Sequence, residues 1–219
     1  MINLPVVLYR AESTQLVVHV QSHSNEISLR RGRLKFPRLA SERLNIDEIR
    51  LADKESIFEI FSNEDVIKYY DLEALKDLAQ SVKLIKFFRL RFDESRGIRW
   101  AIRLKSNGKC IGTCGFNSWS EASRSAIIGY DMNREYWGQG LVTEALYQII
   151  DMAFSGHLPC KIINRIQADT IPGNIASERV LKKLGFKEEG VRRQSGYWKN
   201  AYHDLKCFGL LKDEFVHEI

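Results

Sequence analysis

The amino-acid sequence predicts an α/β (α+β) fold, a sheet with a strand–helix–strand crossover in its middle. Three observations carry the prediction. Strand-like segments at 99–104, 110–116 and 125–132 follow one another as a meander. Residues 140–155 read as a helix leading into a strand at 162–170. A second helix over 174–185 and two further strands close the chain.

Taken in order, VVLYRAESTQLVVHVQ (6–21) offers two short strands around a polar turn, and 22–42 reads as a linker or irregular arm. The expected division is an N-terminal extension over 1–40 and a compact domain over 41–219. Apolar positions 57, 58, 60 and 61 predict a short helix with Asp53 as its N-cap. Leu72, Leu75, Leu78, Val82, Ile85 and Phe88 recur at three- and four-residue spacing, which predicts one long amphipathic helix. Asn107-Gly108, between the first two meander strands, marks a hairpin turn. Gly185 stands where a helix over 174–185 needs a C′ glycine. FKEEGVRR and YHDLKCFGLL supply the last strands.

Composition narrows the function classes. The 44% hydrophobic and 11% aromatic content is that of a globular chain. No apolar run approaches the roughly 18 residues of a membrane span, and the first residues lack a signal peptide's basic and apolar regions, so a cytoplasmic location is expected. Of the formal charge of +5, most sits in residues 1–43. That basic arm suits an acidic partner or a plain solvated extension; direct nucleic-acid binding is not expected, because no binding motif and no interleaved aromatics accompany it. Cys110, Cys114, Cys160 and Cys207 lack metal-site spacing and read as reduced, mostly buried thiols, so no metal is expected. Cys110 and Cys114, four apart in a strand, are expected on one face. The two N-terminal strands leave room for pairing between chains in an oligomer.

The segment YWGQGLVTEAL places Gly138 and Gly140 at the mouth of a helix. A helix's first turn carries N–H groups without partners and a partial positive charge. Glycines without Cβ let a bulky anion approach them, so the place suits phosphate. The Lys-Ser/Thr of a nucleoside-triphosphate loop and the third glycine of a dinucleotide fingerprint are both missing.

Three stretches, GYDMNREYWGQGLVTEAL, NRIQADTIPGNIASERVLKKLGFKEEGVRR and YHDLKCFGLL, together resemble the GNAT superfamily of acyl-CoA N-acyltransferases, in particular its ribosomal-protein N-terminal (alanine/serine) acetyltransferase branch. The resemblance covers about residues 42–213 and implies a mixed, mostly antiparallel central sheet flanked by helices. It implies acetyl-CoA as cosubstrate, its pyrophosphate cradled by Trp137, Gly138, Gln139, Gly140, Leu141, Val142 and Thr143. Val142 departs from the family's small residue and is expected to narrow the space at the phosphates. The strand end at Asp131 and Met132 is expected to splay from its neighbour and pair with the pantetheine arm, and Asn174 to hold that arm, although Asn174 also reads as a helix N-cap.

For catalysis, the resemblance implies a main-chain donor to the oxyanion near Met132. The family's usual glutamate and tyrosine fall here on Ile127 and Leu181, leaving Ser177 as the acid or thiolate partner. Glu121, Asp131, His203 or a water wire remain for the base. Glu144 could simply favour the helix dipole. The acceptor site is expected between the early helices (54–92) and a loop at 192–203, where Tyr197, Trp198, Tyr202 and His203 would form an aromatic slot closed by Asp204. Such a slot fits a protein or peptide N-terminus, that of a ribosomal protein among the candidates. A small amine (antibiotic or polyamine), or a non-catalytic acyl-CoA-binding module, is the alternative reading.

Overall fold

The computed structural model describes residues 35–159 and 161–216. The strands expected within 6–21, the arm up to residue 34 and Cys160 lie outside the described residues. The strands β1 (Leu39–Ala40), β2 (Leu44–Glu48), β3 (Ile98–Leu104), β4 (Cys110–Ser120), β5 (Ser125–Met132), β6 (Arg165–Thr170), β7 (Lys187–Trp198) and β8 (Ala201–Leu211) form one sheet, ordered β1-β2-β3-β4-β5-β6-β8-β7. Every neighbouring pair is antiparallel except β5 and β6. The mixed, mostly antiparallel α/β architecture is therefore the observed one.

Helix α4 (Leu141–Phe154) is the crossover between parallel β5 and β6, and α5 (Ile175–Lys183) follows β6. Helices α1 (Lys54–Phe61), α2 (Glu64–Ile67) and α3 (Leu78–Asp93) precede the meander. The period of two in β3 feeds two cores: Ile98, Trp100 and Ile102 pack with α4, whereas Ala101 packs with α1 and α3. On α4, Leu141, Val142, Ala145, Leu146, Ile149 and Ile150 are buried at helical spacing. Each large apolar side chain so buried contributes about 1.5–3 kcal/mol.

Several expectations are corrected by long-range contacts. The long helix begins only at Leu78, because the Asp77 side chain caps it by accepting from Gln80 N at 2.8 Å. Leu72 and Leu75 share the spacing because they pack on the same core from the preceding loop. Asp53 sits at the N-cap of α1 without capping it; its carboxylate accepts Arg50 N at 2.6 Å and a fork from Arg103 at 2.6 and 2.7 Å. Cys110 and Cys114 are buried in different cores, on opposite faces. A bulge explains it: Arg103 pairs with Cys110 but Ile102 with Gly112, so the extra Ile111 reverses the alternation. Packing also reaches back before residue 41. Phe36 lies 4.7 Å from the Phe92 ring, and Trp100 Nε1 donates to Pro37 O at 2.9 Å.

Two features place the site. β5 and β6 pair only from Ser125–Ile127 to Arg165–Gln167, after which the strands part and leave a gap between Ile128–Met132 and 168–170. The supposed loop at 192–203 is instead the tip of the β7–β8 hairpin, turning through Lys199 (φ 49°) and Asn200 (φ 58°).

Candidate active site

The loop that enters α4 leaves its first turn bare. Gly140 holds the N-cap position at φ 76° with no side-chain cap, and Gly138 has φ 77°. That left-handed conformation is strained for L-residues with side chains, so glycine is the fitting residue. A Cβ built on Gly140 meets nothing nearer than Arg43 Nη2 at 3.7 Å, so the outer side of the loop is open. Leu141, Val142 and Thr143 therefore present first-turn N–H groups to an approaching anion. A diphosphate fits this cradle. The expectation for Val142 is corrected: its side chain is buried in the α4 core and does not point at the mouth of the loop.

Trp137 and Gln139 brace the loop. The indole Nε1 donates to Met132 O at 2.7 Å, and Gln139 Nε2 donates to Glu135 O at 3.1 Å. Glu144, one turn into α4, does more than favour the dipole. Its carboxylate accepts Ser41 Oγ at 2.6 Å, Arg43 N at 2.9 Å and Arg43 Nε at 2.7 Å.

The end of β5 divides its residues between two environments. Asn133 N donates to Ile111 O at 2.8 Å, so the antiparallel alternation turns the main-chain groups of Asp131 toward β4 and those of Tyr130 and Met132 toward the gap. Met132 thus offers its N–H to the gap while its carbonyl is held by Trp137. Asp131, expected at the cofactor, is wholly buried on the α1/α3 side. Its carboxylate is paired with Arg99 and accepts Thr113 Oγ1 at 2.6 Å and Thr113 N at 3.1 Å. Burial pushes this carboxyl up from the ordinary range, opposed by Arg99 and Thr113. Asp131 is accordingly no free base.

Tyr130 is the residue that the sequence reading missed. Its phenol lies 2.6 Å from Ser177 Oγ and 3.2 Å from Ser177 O, so its one proton is shared between the two oxygens, tying β5 to α5 where β5 and β6 part. The signal was its alternation with Ile128 and Met132, which places it on the α5 side. Burial raises the Tyr130 phenol, so it stays protonated. Asn174 caps α5, its Oδ1 accepting Ser177 N at 3.3 Å. The N-cap reading of Asn174 is thus realised, and Asn174 itself is buried.

The four aromatic residues of the expected slot are not brought to one face. Tyr197 and Tyr202 pair across the hairpin with ring centroids 4.9 Å apart, both exposed. Trp198 and His203 stack at 4.2 Å on the other face, with the indole lying over Gly196, where a Cβ would strike it at 1.9 Å. His203 Nε2 lies 3.2 Å from Trp198 O; a carbonyl only accepts, so Nε2 carries the proton and Nδ1 is the acceptor of the neutral ring. Lys199 Nζ donates to Ile67 O at 2.9 Å, and Tyr69 OH to Gly173 O at 3.2 Å, so the α2 region spans from the hairpin tip to the loop before α5. Asp204 accepts Gln194 N at 2.7 Å. Glu121 is paired with Lys161 beyond the start of β5, at the opposite end of that strand from Met132, which removes it from the candidate bases. Among the described residues no group of three or more His, Cys, Asp or Glu could hold a metal ion, and no helix is long and apolar enough to cross a membrane.

Set beside known proteins, residues 43–187 match the acetyltransferase (GNAT) domain. The sequence is 36% identical over 177 residues to the uncharacterized N-acetyltransferase YoaA of Bacillus subtilis (strain 168), covering 81% of this chain and 98% of that protein. It is 26% identical over 148 residues to the ribosomal-protein-serine acetyltransferase of Escherichia coli (strain K12), covering 62% of this chain and 80% of that protein. The microcin C7 self immunity acetyltransferase MccE, solved with acetyl-CoA and AMP, shares the fold at TM-score 0.70 and 22% identity, covering 78% of this chain and 93% of that one.

Proposed function

This chain belongs to the GNAT acetyltransferase family and is an N-acetyltransferase using acetyl-CoA, and from that premise we propose that its acceptor is the α-amino group of a protein N-terminus, modified in the cytoplasm. The observation that carries the acceptor class is the pairing of acids around the acceptor end. Asp169 is paired with Arg192 and Asp131 with Arg99. A polyamine or aminoglycoside needs free carboxylates to replace its hydration. A peptide terminus needs one neutral amine and a surface such as the stacked Trp198–His203 pair. The ribosomal-protein-serine acetyltransferase among the relatives supports the same class, a ribosomal protein included.

Bound acetyl-CoA supplies an activated acetyl group. The first-turn amides of α4 hold its diphosphate, with Trp137, Gly138, Gln139, Gly140, Leu141, Val142 and Thr143 shaping the cradle. Met132 N–H donates to the oxyanion that develops when the amine attacks the thioester carbonyl. Ser177 Oγ, with Tyr130 behind it, donates a hydrogen bond to the departing thiolate. Asn174, at the cap of α5, borders the gap taken by the pantetheine arm. His203 Nδ1 accepts the proton lost by the amine, directly or through water. Much of the rate comes from positioning a neutral amine, so no dedicated acid–base pair is required.

The test is thiol release from acetyl-CoA with two acceptor pools: peptides of varied N-termini, and polyamines with aminoglycosides. Release that depends on the first residues of the peptide supports the proposal. Release with small amines alone overturns it.

A further inference from the structure

We infer that Arg43 is a cofactor-positioning residue, which sets the glycine loop for a diphosphate and cancels the charge of Glu144, an acid in the first turn of α4 that would repel it. The inference rests on the reading of that loop as the acetyl-CoA diphosphate cradle. Glu144 lies in the first turn of α4, at the same helix end that would receive the diphosphate. An unpaired carboxylate there would compete for the helix field and repel the incoming anion. Arg43 answers both problems. Nε and Nη2 reach Glu144 Oε2 at 2.7 and 2.6 Å, while Nη1 donates to Gln139 O, inside the loop, at 3.1 Å. All three guanidinium nitrogens are thus used, a fork that lysine cannot reproduce.

The base of this fork is held independently of the loop. Ser41 N donates to Leu44 O at 3.0 Å and Lys105 N to Arg43 O at 2.9 Å, so the β1–β2 turn is fastened to the β3–β4 hairpin. Ser41 Oγ adds a further bond to Glu144. The Arg43 side chain keeps 47% of its surface exposed, with Nη2 facing the open side of Gly140. A cation therefore stands at the rim of the cradle, and its position is dictated by residues far earlier in the chain than α4.

The test measures the CoA dissociation constant by calorimetry and, with a working acceptor, the acetyl-CoA KM and kcat, for the wild type, Arg43→Gln, Arg43→Lys, Glu144→Gln and the Arg43→Gln/Glu144→Gln double variant. Arg43→Gln is expected to weaken CoA about tenfold, the size of one charge-assisted bond, with kcat within about twofold. Arg43→Lys recovers only part of the loss. The double variant binds more tightly than Arg43→Gln, because the unpaired acid is gone. Glu144→Gln, which keeps the bond to Gln139 and folds without an unpaired buried charge, weakens CoA less than Arg43→Gln does. An Arg43→Gln dissociation constant within about twofold of the wild type overturns the inference, as does a Glu144→Gln loss equal to that of Arg43→Gln, which would leave the pair a structural clamp. A wild type that does not bind CoA overturns the cradle reading instead.

Discussion

Trp137 reaches back over the loop to Met132, its indole Nε1 donating to the Met132 carbonyl at 2.7 Å. The bond fixes the spacing between the end of β5 and the start of α4, hence between the proposed oxyanion donor and the proposed diphosphate cradle. Trp137→Phe keeps an aromatic side chain, though a smaller one, and deletes the donor. It is expected to cost about 1 kcal/mol in urea denaturation and to weaken CoA several-fold by calorimetry. Unchanged affinity would show that the loop holds its shape without the bond.

Gly140 sits at φ 76° with open space where a Cβ would go. Gly140→Ala should therefore cost about 1–2 kcal/mol of backbone strain alone. Gly140→Glu adds an anion at the mouth of the cradle and should abolish CoA binding while the fold persists by circular dichroism. Retained binding in that variant would sink the assignment of the loop.

The Tyr130 phenol reaches both Ser177 Oγ and Ser177 O, joining β5 to α5 beside the gap. Ser177→Ala is expected to lower kcat about a hundredfold while the acetyl-CoA KM stays within about threefold. Tyr130→Phe leaves the Ser177 hydroxyl in place and should lower kcat less. Equal losses in both variants would argue for a shared packing role, and the ratio of kcat to KM effects is the measurement that decides.

Burial disfavours the charged form of the Glu144 carboxyl, yet the Ser41 hydroxyl and the Arg43 amide and guanidinium hold it below the ordinary carboxylate range. A folded value lower than the unfolded one means that the stabilisation is full above the ordinary range and is lost as pH falls through the folded value. The difference in melting temperature between the wild type and Glu144→Gln should be constant near neutrality and should narrow on the acid side. A difference independent of pH would contradict the ion pair.

Burial pushes the Cys110 and Cys114 thiols up to about 12, so neither is a thiolate near neutral pH. Alkylation of the native protein in mildly alkaline buffer, followed by peptide mass spectrometry, should leave both unlabelled, with Cys207, which is partly exposed, reacting first of these three. Labelling of Cys110 or Cys114 in the folded state would mean that the β3–β4 core opens readily.

What the sequence made legible was local. The turn at Asn107-Gly108, the α4 crossover, the paired glycines and the cap of α5 each depend on a few adjacent residues, and each stands where the pattern put it. What it hid depends on partners far along the chain. The face of Cys110 is set by a bulge against Arg103, the start of α3 by one side-chain cap, and the role of Glu144 by Ser41 and Arg43. The aromatic slot failed for a different reason. Reading 192–203 as a loop suspended the period-two rule that sends Tyr197 and Trp198 to opposite faces of a strand.

The seam between β5 and β6 consists of three residue pairs, Ser125 to Ile127 against Arg165 to Gln167. On either side of it lie two blocks of sheet, β1 to β5 and β6 with β8 and β7, each richly bonded within itself. The hydrogen bonds across this seam are few, and it is the shared core under α4, from Ile128 and Tyr130 to Ile166, Ala168 and Phe208, that holds the two blocks together. Under the proposed reading, a ligand held in this widening would touch both sides of the seam, and binding to the folded state alone adds about 2.7 kcal/mol of stability at a hundred times its dissociation constant. On that reading, the cosubstrate would bridge the sheet where the β5–β6 hydrogen bonds stop.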